Sequence, residues 1–163
     1  MKTRFPDKIA TLNAFIEHFQ QEWNILVRSA RSAHEAATHE ETKAEDRHDT
    51  FAIEASYLAA GQSARLLELA RTIKELEGYL ALSQPGEGIK PGHLVAYRYD
   101  EEIQVALLAH SGGGAKIHRD PFTIQILSPQ SPFGEQIIGL RTGDQVEFEI
   151  RGNAKRCRIL EII

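Results

Sequence analysis

Cysteine, methionine and tryptophan occur once each among the 163 residues. With Cys157 alone, neither an internal disulfide framework nor a cysteine-based zinc finger can form. Long hydrophobic runs are missing too. The longest, residues 105–109, is five residues, against the roughly 18–20 that span a bilayer. The first ten residues, MKTRFPDKIA, lack the apolar stretch of a signal peptide. These absences predict a cytoplasmic protein without a membrane segment. No sign of charge dominates: 19 Lys+Arg stand against 23 Asp+Glu, a net −4. That argues against autonomous binding to bare DNA, which needs a basic footprint. An apolar content of 42% suffices for a core and argues against disorder.

Proline and glycine are scarce in one half only. Residues 1–82 hold one proline, Pro6, and two glycines, Gly61 and Gly78; the remainder holds five prolines and ten glycines. The breaker-rich stretch 83–92, SQPGEGIKPG, reads as a linker. The predicted organisation is residues 1–82, linker 83–92 and domain 93–163.

The first half has helical periodicity. Ile9, Leu12, Ile16, Phe19, Trp23, Leu26, Ala30, Ala33 and Ala37 recur at alternating intervals of 3 and 4. That is a heptad seam, which packs one helix against another. A polar stretch follows at 39–49, and Asp49 or Thr50 suits an N-cap. Phe51, Ala55, Leu58, Gln62, Leu66, Leu69, Ile73, Leu76 and Leu80 form a second seam, with one extra interval of 4 near Gly61. Two long helices joined by a short polar turn pack antiparallel. Each is about 30 residues, or about 45 Å. The expectation is a thin helical finger with an acidic tip near residues 40–50.

The second half alternates in strand fashion. Residues 94–99 and 103–108 flank a predicted hairpin turn at 100–102. Residues 122–127, 145–150 and 157–163 follow, with Gly152-Asn153 as a turn into the last. Residues 132–140 read as a short helix with Ser131 as N-cap and Pro132 at its first position, and Ile137 and Ile138 covering the sheet. The predicted class is α+β: an antiparallel helical hairpin, then a small antiparallel sheet of about five strands with one short helix.

Several motifs fail on spacing. His34 and His39 are five apart, so they do not share a helix face as H-E-x-x-H requires. Residues 111–116, SGGGAK, lack phosphate-loop spacing and read as a flexible inter-strand loop. Cys157 lies in a strand beside Lys155, Arg156 and Arg158, whose charge could lower its pKa, yet it has no histidine partner. The acidic tip holds Glu40, Glu41, Glu45, Asp46, Asp49 and Glu54. Carboxylates suit Mg²⁺ that is also held by water and phosphate, so such a tip could complete a partner's metal site. Its ordinary role is a solvated turn that caps a helix.

The run SPFGEQIIGLRTGDQV at 131–146 resembles the S-P-L-G-x-A-L-L-G-K-K-x-G-D-x-V stretch of the bacterial GreA/GreB transcript-cleavage factors. ASYLAA at 55–60 is similar to their A-E-Y-H-A-A at the start of the second coiled-coil helix. The resemblance implies an FKBP-like C-terminal domain docked at the rim of the RNA polymerase secondary channel. It implies a finger that enters the channel and helps hold the second active-site Mg²⁺ for hydrolysis of backtracked RNA. With Tyr57 aligned, the family's two acidic positions fall on Thr50 and Ile53; Asp49 and Glu54 are each one residue away, about 100° around a helix. The tip candidates are Asp49, Glu45, Asp46 and Glu54. The anchoring candidates are Ser131, Pro132 and Phe133.

The resulting expectation is a monomeric regulator of RNA polymerase with no catalytic residues of its own. It has no stably bound cofactor, the polymerase's Mg²⁺ being shared, and it meets nascent RNA indirectly. It stimulates transcript cleavage, or it occupies the channel and inhibits. Two other readings remain: a prolyl isomerase, which needs an aromatic-lined pocket, with only Tyr97, Tyr99, Phe122, Phe133 and Phe148 to build it; and a coiled-coil adaptor that dimerises through its first helix.

Overall fold

The computed structural model describes residues 4–40, 48–82, 87–150 and 152–163. Two helices, α1 (Lys8–Glu40) and α2 (His48–Leu80), precede strands β1 (Leu94–Tyr99), β2 (Glu102–Leu108), β3 (Lys116–Arg119) and β4 (Phe122–Leu127). A short helix α3 (Pro132–Ile137) and strands β5 (Gln145–Ile150) and β6 (Asn153–Ile162) complete the chain. No helix among the described residues is long and apolar enough to cross a membrane. By contacts the chain forms two compact units, Met1–Ile16 with Lys74–Ile163, and Glu17–Ile73.

The Glu17–Ile73 unit is helix against helix. Phe19 and Leu69 are almost fully buried, and Leu26, Ala30, Ala33, Gln62, Leu66 and Ile73 are half-buried along the expected stripes. Polar pairs between the helices mark the antiparallel register: the Arg65 guanidinium donates to Glu22 Oε1 from Nη2 at 2.6 Å, and Gln62 donates to Ser29 at 3.4 Å. Within α2 the same guanidinium donates from Nη1 to Glu68 Oε2 at 2.8 Å. The hydrogen bonds from Arg65 to the two carboxylates raise its pKa. Being exposed, the pairs between the helices mark register more than they stabilise. Ala37, Phe51, Ala55 and Leu58 of the seams lie outside the residues whose side chains are described; among the described ones the seam differs from expectation at two positions. Trp23 is 37% exposed within this unit, and Ile9, in the other unit, is 56% exposed. A straight helix drifts about 20° per heptad relative to a strict seven-residue repeat, so Phe15 joins Leu12 and Ile16 among the buried residues. Asp49 and Thr50, read as N-cap candidates, lie inside the first turn of α2.

The larger unit carries a six-stranded sheet in the order β3-β4-β2-β1-β6-β5. It is mixed rather than wholly antiparallel, because β2 and β4 run parallel, Val105 opposite Ile124. The reason is β3. This four-residue strand pairs with β4 at the sheet's edge, so the chain crosses over before β4 is laid beside β2. Its sequence, Lys116-Ile-His-Arg119, is exposed except for a half-buried isoleucine, and so it carries no clean alternation. Tight turns close the other hairpins: Tyr99 pairs with Glu102 and Ile150 with Asn153. Asn153 therefore opens β6 instead of completing the turn, and the positive φ of 78° is at Gly152. There glycine avoids the Cβ clash of the left-handed region.

Both faces of the sheet are buried at its centre. Val95, Tyr97, Ala106, Leu108, Leu127, Cys157 and Ile159 form one core with Ile89 and with Ile137 of α3. Leu94, Ala96, Val105, Leu107 and Ile124 on the opposite face are 0–1% exposed. In the same unit Leu12, Phe15 and Leu76 are fully buried, and the Phe5 ring meets Phe122 at 5.8 Å. Each such apolar side chain contributes about 1.5–3 kcal/mol.

Candidate functional site

The acidic tip falls partly outside what the structure describes. Glu41, Glu45 and Asp46 lie outside the described residues; Asp49 and Glu54 are placed only as backbone positions of α2. The side chains of His34, His39 and Glu40 are likewise outside the described set. Among the described residues, no cluster of His, Cys, Asp or Glu could hold a metal ion.

The Ser131 corner is fully described. Ser131 is the N-cap of α3, with Pro132 in the first turn. Its Oγ donates to the carbonyl of Ser128 at 2.7 Å and accepts the N–H of Gly134 at 3.0 Å. Gly134 is required sterically: a Cβ there would stand 2.0 Å from the Ser128 oxygen. Phe133 lies among aromatic rings, 5.1 Å from Tyr97, 5.9 Å from Tyr99 and 5.3 Å from Phe148. Such tilted and edge-on pairs are favourable beyond the area they bury. Ser131 and Phe133 therefore hold the corner's shape, while Pro132 is exposed. Ile138 differs from expectation. The chain leaves the helix at that residue, which is 38% exposed, and only Ile137 is buried. Pro132, Glu135, Gln136 and Ile138 make up the exposed surface of the corner.

A second polar assembly was not legible in the sequence. Glu75 of α2 accepts the backbone N–H groups of His110 at 2.7 Å and Ser111 at 3.0 Å, together with the Tyr79 hydroxyl. Burial raises the Glu75 pKa, but the hydrogen bonds from Tyr79, Ser111 and His110 outweigh it and hold the carboxyl below its usual range. Burial and the neighbouring carboxylate push the Tyr79 phenol upward. The glycine loop read as flexible is thus clamped at its start. It is also pinned further on, where Gly114 donates to Ile126 at 3.0 Å. From there His110 Nδ1 meets Gln130 Nε2 at 3.0 Å, and the Gln130 N–H donates to Ser128 Oγ at 3.2 Å. A continuous path of hydrogen bonds joins α2 to the turn that caps α3.

Cys157 is fully buried, and burial pushes its thiol up to about 11. The basic neighbours do not lower it. Lys155 pairs with Asp100 at 2.7 Å, and Arg156 with Glu147 at 2.8 Å. A protonated, enclosed thiol is a poor nucleophile, so Cys157 acts in packing.

Residues 117–163 match the family model described as "Transcription elongation factor, GreA/GreB, C-term". The match takes in β4, α3, β5 and β6, including the whole Ser131 corner. The sheet domain is thus of the GreA/GreB C-terminal type. Two long helices precede that domain in the chain. Among solved structures, Gfh1 of Thermus aquaticus is 18% identical, with 90% of this chain and 92% of that one covered and a TM-score of 0.38. GreA factor homolog 1 of Thermus thermophilus is 19% identical, covering 91% and 94%, at a TM-score of 0.34. A GreA/GreB factor of Nitrosomonas europaea is 21% identical over 55% of this chain and 78% of that one, at 0.36. Nothing matches among curated proteins.

Proposed function

We propose that the protein binds RNA polymerase at the secondary channel, its sheet domain anchoring it and its helical hairpin reaching toward the active-site Mg²⁺. The observation that carries this reading is the family match over residues 117–163, which contains the α3 corner intact. Two antiparallel helices of 33 residues each, about 50 Å long, supply a reach suited to a deep channel. In this reading the exposed Pro132 and Ile138 touch polymerase, while Ser131 and Phe133 hold them in place. Asp49, Glu54, Glu45 and Asp46 are the carboxylates available to share the polymerase's metal. The chain's own residues would then position a metal and a water, and the bond-breaking centre would belong to polymerase.

The displaced acidic positions favour a second form of the same reading, in which the hairpin occupies the channel and inhibits. Cleavage of nascent RNA in a backtracked elongation complex separates them, with binding scored in the same tubes. Stimulated cleavage supports the shared-metal form. Binding with slowed elongation and no cleavage supports the inhibitor. No binding to a competent polymerase overturns both.

A further inference from the structure

Arg98 of β1 and Arg158 of β6 are directly opposed across an antiparallel pair. Both are exposed. Like charges opposed in this way, with Cβ atoms about 4.5–5.5 Å apart, are destabilising. Elsewhere in the same hairpins the cations are neutralised: Lys155 by Asp100, and Arg156 by Glu147. Arg98 and Arg158 have no carboxylate partner among the described residues. Register extends the row to a half-buried Ile103 on β2 and an exposed Gln145 on β5. The four residues present an apolar shoulder, two free guanidiniums and an amide. Alternation puts this row on the face opposite α3, because Tyr97 and Tyr99, flanking Arg98, contact Phe133.

We propose that the Arg98–Arg158 row is a docking surface for carboxylates on an acidic segment of a protein partner, a second contact with polymerase that is independent of the α3 corner. The inference rests on the polymerase-binding reading. A guanidinium fork suits a carboxylate through two parallel hydrogen bonds, and an incoming carboxylate relieves the repulsion that the free protein carries. The surroundings select the ligand. Glu149 and Glu147, the latter paired with Arg156, are exposed on the neighbouring strand, on the same face as Arg158 by register. A nucleic acid laid across the row would run its phosphates over these acids, whereas one or two side-chain carboxylates fit between them.

The test measures binding of the full chain to immobilised core RNA polymerase over a salt series, with a 20-nucleotide single-stranded RNA as a second probe. The R98Q/R158Q protein should bind polymerase at least tenfold more weakly, with a flatter salt dependence. Its melting temperature should be equal or higher, since a repulsion has been removed. R98K/R158K should keep most of the affinity. Wild-type binding that is unchanged in R98Q/R158Q overturns the inference and leaves the polymerase reading standing. Absence of wild-type binding overturns the reading and the inference together. RNA binding by the wild type that R98Q/R158Q loses would reassign the row to nucleic acid and also overturn the proposal.

Discussion

Glu75 and His110 are 35 residues apart, yet the carboxylate of one accepts the backbone N–H of the other at 2.7 Å. Ser111 donates to the second oxygen of the same group. One side chain of α2 thereby satisfies two main-chain donors at the start of the glycine loop. Replacing Glu75 with alanine leaves both donors without it and should cost about 1–3 kcal/mol, read from urea denaturation. The pH dependence has a definite sign. The folded pKa is lowered, so this stabilisation is complete above the unfolded value of about 4.5 and is lost as pH falls through the folded one. E75Q should flatten that part of the acid limb.

His93 should produce a second pH effect nearer neutrality. It is buried, and its Nδ1 accepts the N–H of Lys90 at 3.2 Å. Burial, then the charges of Lys8 and Lys90, lower its pKa from 6.5. The unfolded chain therefore binds the extra proton first, and stability falls as pH drops below about 6.5. The urea midpoint should decrease between pH 7.5 and 5.5, and should decrease less in H93Q.

Glycines in the two kinds of structure should respond oppositely. A Cβ at Gly61 or Gly78 meets nothing within 4 Å. Each lies inside α2, so G61A and G78A should each stabilise by about 0.5–1 kcal/mol. G134A drives a methyl group into the Ser128 carbonyl and should destabilise by about 1–3 kcal/mol. Thermal melts of the three variants test this contrast.

At the α3 corner, shape and contact should separate. S131A removes an N-cap and should cost about 1 kcal/mol of stability. F133A opens the aromatic cluster and should cost about 2–3 kcal/mol, below the cost for a fully buried phenylalanine. I138S alters an exposed side chain, so stability should change by less than about 0.5 kcal/mol. Polymerase affinity should nonetheless drop severalfold. An I138S protein that binds polymerase as the wild type does would remove this surface from the proposed anchor.

At the tip, D49A, E54A, E45A and D46A should leave polymerase affinity within about twofold of the wild type. Under the shared-metal reading at least one lowers the rate of transcript cleavage by tenfold or more, since a carboxylate acting at a metal contributes at least about 1.4 kcal/mol to the transition state. Single-turnover cleavage at saturating factor measures it.

Much of this was legible along the chain. The helical stripes through Leu12, Ile16, Phe19, Leu69 and Leu76 and the alternation at 94–99 and 122–127 are local patterns imposed by periods of 3.6 and 2. So is the Ser131-Pro132-Gly134 cap, in which donor and acceptor are three residues apart. β3 was not legible, because an exposed edge strand buries too little to show alternation. The orientation of Ile138 was not either. It follows from the helix ending one residue earlier, and apolar character alone says nothing about where a chain turns. For Cys157 the sequence favoured packing, and the core position agrees: Arg156 and Arg158 point to the other face of the strand, and Lys155, on its own face, is held by Asp100.

Sequence by itself determined a helical first part followed by a strand-rich second part, the buried stripe through Leu12, Ile16, Phe19, Leu69 and Leu76, the α3 cap and the family that the C-terminal run resembles. Each depends on residues within a few positions of one another. Tertiary structure alone decided the parallel β2–β4 pair, the Glu75 clamp on residue 110 and the opposition of Arg98 to Arg158. Those contacts join residues 19 to 60 positions apart. What brings such segments together is the burial of both faces of one sheet, a cooperative term that no local pattern contains.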